Sequence, residues 1–203
     1  MDRGVHFLFV IFEIVPHGTV NVDFFKKYFY FFSITYFYLI SNALSSDLDK
    51  LFLELKTAPN SISAKKIENK IWQKWLTIGN DEFSNLQMKR GVVFLENGEL
   101  DKALDLFVNL SKKQPHWAEP INKIATIKFI MGDYLSSVYY IKQTLLLEPR
   151  HFGAISGLTQ INIALKKYDK ALANIDYVTS IHPFIAIKKL RPLILNMLKK
   201  SSI

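Results

Sequence analysis

Three of the five histidines stand within two residues of prolines spaced 34 apart: His116 beside Pro115, His151 after Pro149, and His182 beside Pro183. Imidazoles gathered in this way could serve a divalent metal, which asks for nitrogen ligands within about 2.1 Å. The spacing argues against it. No two histidines fall at i, i+4, and no His-Glu-x-x-His stretch is present. If the three prolines mark consecutive turns of a helical stack, those turns lie on axes roughly 8–10 Å apart. Polar rings capping turn carbonyls are the simpler expectation, and no metal or cofactor is expected.

Other chemistry finds no better footing. The chain has no Cys, which removes thiolate nucleophiles, disulfides and cysteine metal sites. No serine sits in a Gly-x-Ser-x-Gly elbow, and GVVFLENGEL lacks the Lys-Ser/Thr that would make its glycines a phosphate loop. Asp101 and Asp105 stand near Lys102 on what reads as an exposed helix face. No paired acid looks buried. The expectation is a protein that is not an enzyme.

The elements that place these residues follow from a repeat. Pro115, Pro149 and Pro183 are 34 residues apart, and other columns keep the same step. They are Gly98 with Gly132; Leu100, Tyr134 and Tyr168; and Ala103, Ser137 and Ala171. Such a period marks stacked helix-turn-helix units. Counting from Ser84 gives repeats 84–117, 118–151 and 152–185. In each, a first helix ends near 97–99, 131–133 or 165–167. The second helix opens with LDKALDLF, YLSSVYYI or YDKALANI. Its small residue lets two backbones approach, and Phe107, Ile141 and Ile175 lie four positions on, on the same face. Gly98 and Gly132 suit the left-handed backbone that ends a helix. Lys166 replaces glycine in the third unit at a cost of about 1–2 kcal/mol, so that turn is expected to differ.

Two helices precede the repeats, SDLDKLFLELK and SISAKKIENKIWQKWLTI, each with a serine placed to cap it. Ile67, Ile71, Trp75 and Ile78 recur at helical spacing. The repeat columns do not continue here, so 46–83 reads as a degenerate repeat or N-terminal cap. Residues 186–203 flank Pro192 and read as a kinked helix covering the last open face.

The order small, aromatic, Ala, large apolar, Pro resembles the tetratricopeptide repeat. It is carried by GVVFLENGELDKALDLF, FIMGDYLSSVYYI and LTQINIALKKYDKALANI, each followed by its proline. Ser137 and Thr144 are polar where Ala is usual, and Asn162 replaces an aromatic. EPRHFGA at 148–154, with the Trp-rich segment before the repeats, is similar to exported alphaproteobacterial members over much of 47–183. The resemblance implies an all-α fold: a short right-handed solenoid of antiparallel helix pairs with capping helices at both ends. It also implies that first helices line a concave groove. The groove positions are Asn85, Met88, Val92 and Leu95; Glu119, Asn122, Thr126 and Phe129; and Gly153, Ser156, Gln160 and Ile163. Some members grip a peptide carboxylate with Lys, Asn and Arg; here Met88, Val92, Gly153 and Gly157 hold four of those positions. That clamp is absent. Groove lining and helix packing remain equal readings of Met88, Val92 and Phe129.

The front of the chain is different material. Residues 28–40 form an uncharged apolar run after Lys26 and Lys27 and before small residues around Ala43. That order matches an export signal, and the run is short for a membrane span of about 20 residues. Residues 1–45 are expected to be a signal peptide or a mis-assigned extension, with a mature start near Leu44 or Ser46. An uncleaved membrane anchor is the alternative. The six charges of 1–45 cancel, so the net +8 belongs to the rest. Scattered lysines read mainly as a solvated surface, although a basic surface is also what a nucleic acid would need. Against nucleic acid, the repeat assigns most aromatics to the core, leaving few stacking platforms. The expected partner is a protein or peptide held in the groove, in the periplasm.

Overall fold

The computed structural model describes residues 47–201, and the apolar run 28–40 and the cleavage positions around Ala43 lie outside them. Helix α1 covers 47–56. It is followed by α2 (Ser61–Thr77), α3 (Glu82–Glu96), α4 (Leu100–Lys113), α5 (Ala118–Ile130) and α6 (Tyr134–Leu147). Then come α7 (Phe152–Ala164), α8 (Tyr168–Ile181), a 3-10 turn (Ala186–Leu190) and α9 (Arg191–Ser201). Among the described residues there is no strand, and no helix is long and apolar enough to cross a membrane.

The helices pack as the period requires. α3 pairs with α4, α5 with α6 and α7 with α8, and each second helix lies against the first helix of the next unit. Ala103 and Ala171 are fully buried at these contacts. Ser137, the polar member of that column, donates its hydroxyl to the Ala125 carbonyl at 2.8 Å, so the hydroxyl is satisfied inside the stack. The turns at the three prolines are alike. The N–H groups of Trp117, His151 and Ile185 donate to the carbonyls of Gln114, Glu148 and His182 at 3.0–3.1 Å.

Two local expectations are corrected. Lys166 takes φ 56° beside 78° at Gly98 and Gly132, and its turn keeps the same bonding pattern. Lys167 N–H reaches the Asn162 carbonyl as Glu99 reaches Phe94 and Asp133 reaches Lys128. The neighbouring turn bonds fix the geometry, and the lysine accepts the strain. At the start of α2, the cap is Asn60, whose side chain accepts from Ser63 N–H at 2.9 Å; Ser61 is already helical.

The apolar core has three parts. One joins α3, α4 and α5 around Met88, Phe107 and Ile124. A second gathers Ala125, Ile141, Ala154 and Ile161. The third is unlike a nearest-neighbour stack. It unites Phe52, Ile71 and Trp75 of the N-terminal pair with Phe152 and Ile155 of α7, and with Ile175 and Ile194 further on. A linear solenoid places each pair against its neighbour alone. Here α1 and α2 cap the solenoid from its inner side and reach the third repeat.

Candidate functional site: the inner face and the helix across it

The path of α2 follows from its side chains. At 17 residues it is about 25 Å long, enough to cross several first helices. Its C-terminal end sits by the first repeat, where Leu76 and Ile78 pack on the first core cluster. There the indole N–H of Trp117 donates to the Trp75 carbonyl at 2.7 Å. The ring of the same Trp75 stacks on the His151 imidazole, with centroids 4.0 Å apart and planes 8° from parallel. Trp72 meets Phe152 edge-on at 5.3 Å and lies under the Lys123 ammonium at 5.5 Å. A Cβ added at Gly153 would stand 2.6 Å from the Trp72 ring, so this position is shaped by the indole. Further back, Glu68 accepts from Lys65 at 3.0 Å and from the Trp72 indole at 3.3 Å, and it faces His182 Nε2 at 3.4 Å.

Helix α1 adds a second tie to the third repeat. Arg150 pairs with Asp49, bonds Glu148 at 2.9 Å, and places its guanidinium 4.2 Å from the Phe52 ring centroid. The Phe52 ring also contacts those of Trp75 and Phe152.

Beneath α2 lies a buried polar node. His151 and Glu119 are both fully buried, with Nε2 and Oε2 2.8 Å apart. The tautomer is set by the other nitrogen: Nδ1 accepts from Ala154 N–H at 3.1 Å, which leaves the proton on Nε2 to donate to Glu119. Lys123 Nζ approaches Glu119 Oε1 at 3.1 Å, and Asn122 donates to Oε2 at 3.3 Å. Burial alone would push the Glu119 carboxyl up. The His151 hydrogen bond and the Lys123 charge overcome it and hold the group below its ordinary range. Glu68 shows the same balance: burial raises it, and Lys65, His182 and Trp72 bring it down.

Chemically this node is a tie. Both nitrogens of His151 are engaged, and Trp75 covers the ring, so no reacting group has room to meet it. The expectation that turn histidines cap carbonyls is therefore corrected. His151 caps the N-terminus of α7 through a backbone N–H, and His182 is tied to Glu68 of α2. His116 is exposed. Among the described residues no three His, Asp or Glu side chains gather as a metal set.

The sequence-derived groove residues divide accordingly. Asn85 bonds the N–H and carbonyl of Gly79 at 3.0 and 3.3 Å, holding the loop after α2. Met88 is fully buried in the first cluster, and Val92 and Leu95 pack half-buried against it. Glu119 and Asn122 belong to the node. Half-buried Thr126 bonds back to the Asn122 carbonyl at 3.0 Å, and half-buried Phe129 lies 5.6 Å from the Tyr134 ring. Ile163 packs on the third cluster. Ser156 and Gln160, with Gly153, line a cleft of about 480 Å³. Its other walls come from Lys65, Glu68 and Trp72 of α2 and from the chain around His182 to Ile187. The structure thus joins Glu119 to Asn122, and Gly153 to Ser156 and Gln160, and spreads the others along the first helices. Sequence reasoning missed Glu68, Trp72 and Lys123. The available signal was Trp72 and Trp75, an i, i+3 aromatic pair without a repeat column to fill.

Comparison with known proteins agrees with this architecture. No protein-family profile matches the chain. A curated tetratricopeptide-repeat-containing protein from Rhizobium etli is 37% identical over 123 residues, which is 59% of this chain; the chain spans 60% of the length of that relative. Among solved structures, a MamA double mutant superposes with a TM-score of 0.54 at 21% identity, covering 60% of this chain and 69% of its own. The first repeat domain of Spaghetti, solved with an HSP90 peptide, gives 0.54 at 16% identity, covering 57% of this chain and 93% of its own. A repeat protein from Parabacteroides merdae gives 0.50 at 16% identity, covering 87% and 75%. With its period of 34 residues and its stacked helix pairs, the chain has the fold of a tetratricopeptide-repeat solenoid, and over 123 residues it is similar to the Rhizobium etli relative.

Proposed function

We propose that the chain is a non-catalytic interaction module that takes a peptide or helical segment of another protein on its inner face, in the periplasm. The observation that supports this best is α2 itself. The inner face already accommodates a helix through aromatic anchors and a few polar ties, which is the makeup of helix-in-groove recognition. The part not under α2 carries Val92, Leu95, Thr126 and Phe129, with Ser156 and Gln160 at the cleft. A solved neighbour with the same fold holds a peptide, which favours a peptide over a small molecule. With four carboxylate-clamp positions held by Met88, Val92, Gly153 and Gly157, the ligand is expected to be read by apolar contact rather than by its terminal carboxylate.

The experiment is capture from periplasmic extract by the intact protein and by Val92→Glu and Phe129→Glu, with helicity followed by circular dichroism. The reading expects a partner retained by the parent, lost in both variants, and indifferent to salt. Binding through the lysine-rich surface would instead weaken steeply as screening shortens below about 8 Å. A partner lost at moderate salt and indifferent to Val92 and Phe129 overturns the groove.

The apolar run 28–40 favours a second reading in one respect, a membrane-tethered scaffold with the same groove. N-terminal sequencing from native cells separates the two. A start near Leu44 or Ser46 fits export and cleavage; an intact, membrane-pelleting chain fits the tether.

A further inference from the structure

The outer face of α3 carries Phe83, Leu86, Arg90 and Val93, spaced as one stripe of a helix. The three apolar members are 62%, 60% and 51% exposed. Their repeat equivalents, 34 and 68 residues on, are almost all buried. In α5 and the turn before it they are Trp117, Pro120, Ile124 and Ile127, and in the third repeat His151, Ala154, Leu158 and Ile161. Of these only Leu158 is half-buried; the others are buried. Ile124 and Ile127 pack with Phe107 and Leu110 of α4, and Ala154 and Ile161 with Ile141 of α6. The column is the seat for the second helix of a preceding repeat. Repeat 1 keeps the apolar residues of that seat, yet α2, the helix that precedes it, lies across the inner face.

Charge narrows the occupant. Arg90 stands mid-stripe where the later repeats have Ile124 and Leu158, and its guanidinium lies 5.3 Å from the Phe94 ring. It has no ion-pair partner among the described residues. Lys113 sits over the Phe83 ring at 5.4 Å and spends its charge on Asp81 at 3.1 Å. Glu82 and Glu96 lie at the two ends of the helix. The central requirement is therefore an apolar helix face with a carboxylate opposite Arg90. A second copy stacked head to tail would offer its C-terminal segment, with Lys188, Lys189, Lys199 and Lys200, against Arg90. Like charges disfavour that arrangement.

We propose that the stripe Phe83–Leu86–Arg90–Val93 is a second docking surface, separate from the groove, for an amphipathic helix of another protein. The helix presents apolar residues at i, i+3 or i+4 spacing and an acidic residue to Arg90, and it stacks as α4 stacks on α5. Such a partner extends the solenoid by one helix and buries the stripe as the later repeats bury theirs.

The probe is a stapled, fluorescein-labelled peptide with the sequence of α4, residues 100–113, tested by anisotropy on the full chain. A second peptide replaces both of its aspartates by lysine. The parent should bind the first peptide more tightly than the second, and Leu86→Glu should weaken the first by at least about tenfold. Arg90→Glu should reverse the preference between the two peptides. All four side chains of the stripe are exposed at the surface, so circular dichroism and the urea midpoint should stay unchanged. Val92→Glu, which disables the groove, should leave the peptide bound. Equal binding by parent and Leu86→Glu, or no binding, overturns the proposal. So does a concentration-dependent dimer in sedimentation that Leu86→Glu abolishes, since it would give the face to a second copy.

Discussion

The inner face contains two surfaces built from the same repeat positions. Under α2, Glu119, Asn122 and His151 are core: buried and hydrogen-bonded through Glu119, with the Trp75 indole stacked on the His151 ring. Toward the other ends of the same helices, Thr126, Phe129 and Gln160 stay half-buried or exposed. The repeat columns do not distinguish the halves, because they record the stack and nothing of what crosses it. The difference teaches that a polar residue at a groove position is read by its cover. Glu119, bonded to the His151 ring that Trp75 covers, is a tie, whereas Gln160 beside the cleft is exposed.

The largest expected effect comes from removing that cover. Trp75→Ala deletes a ring packed on Phe52, Trp72, His151 and Phe152, and should cost about 3–5 kcal/mol in urea unfolding. An unchanged midpoint would mean that α2 is an ornament on an independently stable groove. Gly153→Ala sharpens the same comparison. Its methyl must displace an indole held by Phe152, His151 and Trp75, at a cost of about 1–3 kcal/mol. Gly157→Ala is the control, since its added carbon meets only Ile141 at an ordinary 3.6 Å. Equal costs at both glycines would deny Trp72 its seat.

The smallest effect is in pH. Burial holds the His182 imidazole below the ordinary histidine value of 6.5, against the opposing pull of Glu68, with Lys65 adding to the lowering. The unfolded chain therefore binds a proton at a higher pH than the folded one. Stability is lost as pH falls from 6.5 toward the depressed folded value. Glu68 and Glu119, both lowered, add their loss only below the ordinary 4.5. The urea midpoint should thus drop between about pH 7.5 and 5.5 in the parent, and drop less in His182→Asn. Identical slopes would remove His182 from the clasp on α2.

Much of the stack was legible in the residues. Proline, glycine and small-residue columns mark turns and close helix contacts through local backbone and volume rules, and Pro115, Gly98 and Ala103 occupy those places. The site was legible only in part. Ser156 and Gln160 reach the cleft, but Met88 is core and Glu119 is tied to His151, a residue 32 positions away. The geometry of α2 was not legible, because Trp72 and Trp75 satisfy a cap stacked on repeat 1 as readily as a helix laid across repeats 2 and 3.

By itself the sequence determined the period, the helix pairs, the turns and the absence of cysteine chemistry, all consequences of near-neighbour rules along the chain. Only the tertiary structure decided which face α2 covers. That choice depends on contacts separated by up to 114 positions, such as Glu68 with His182, and on the fit of an indole over Gly153. Apolar spacing says which side of a helix is buried, and the packing of the whole fold says against what.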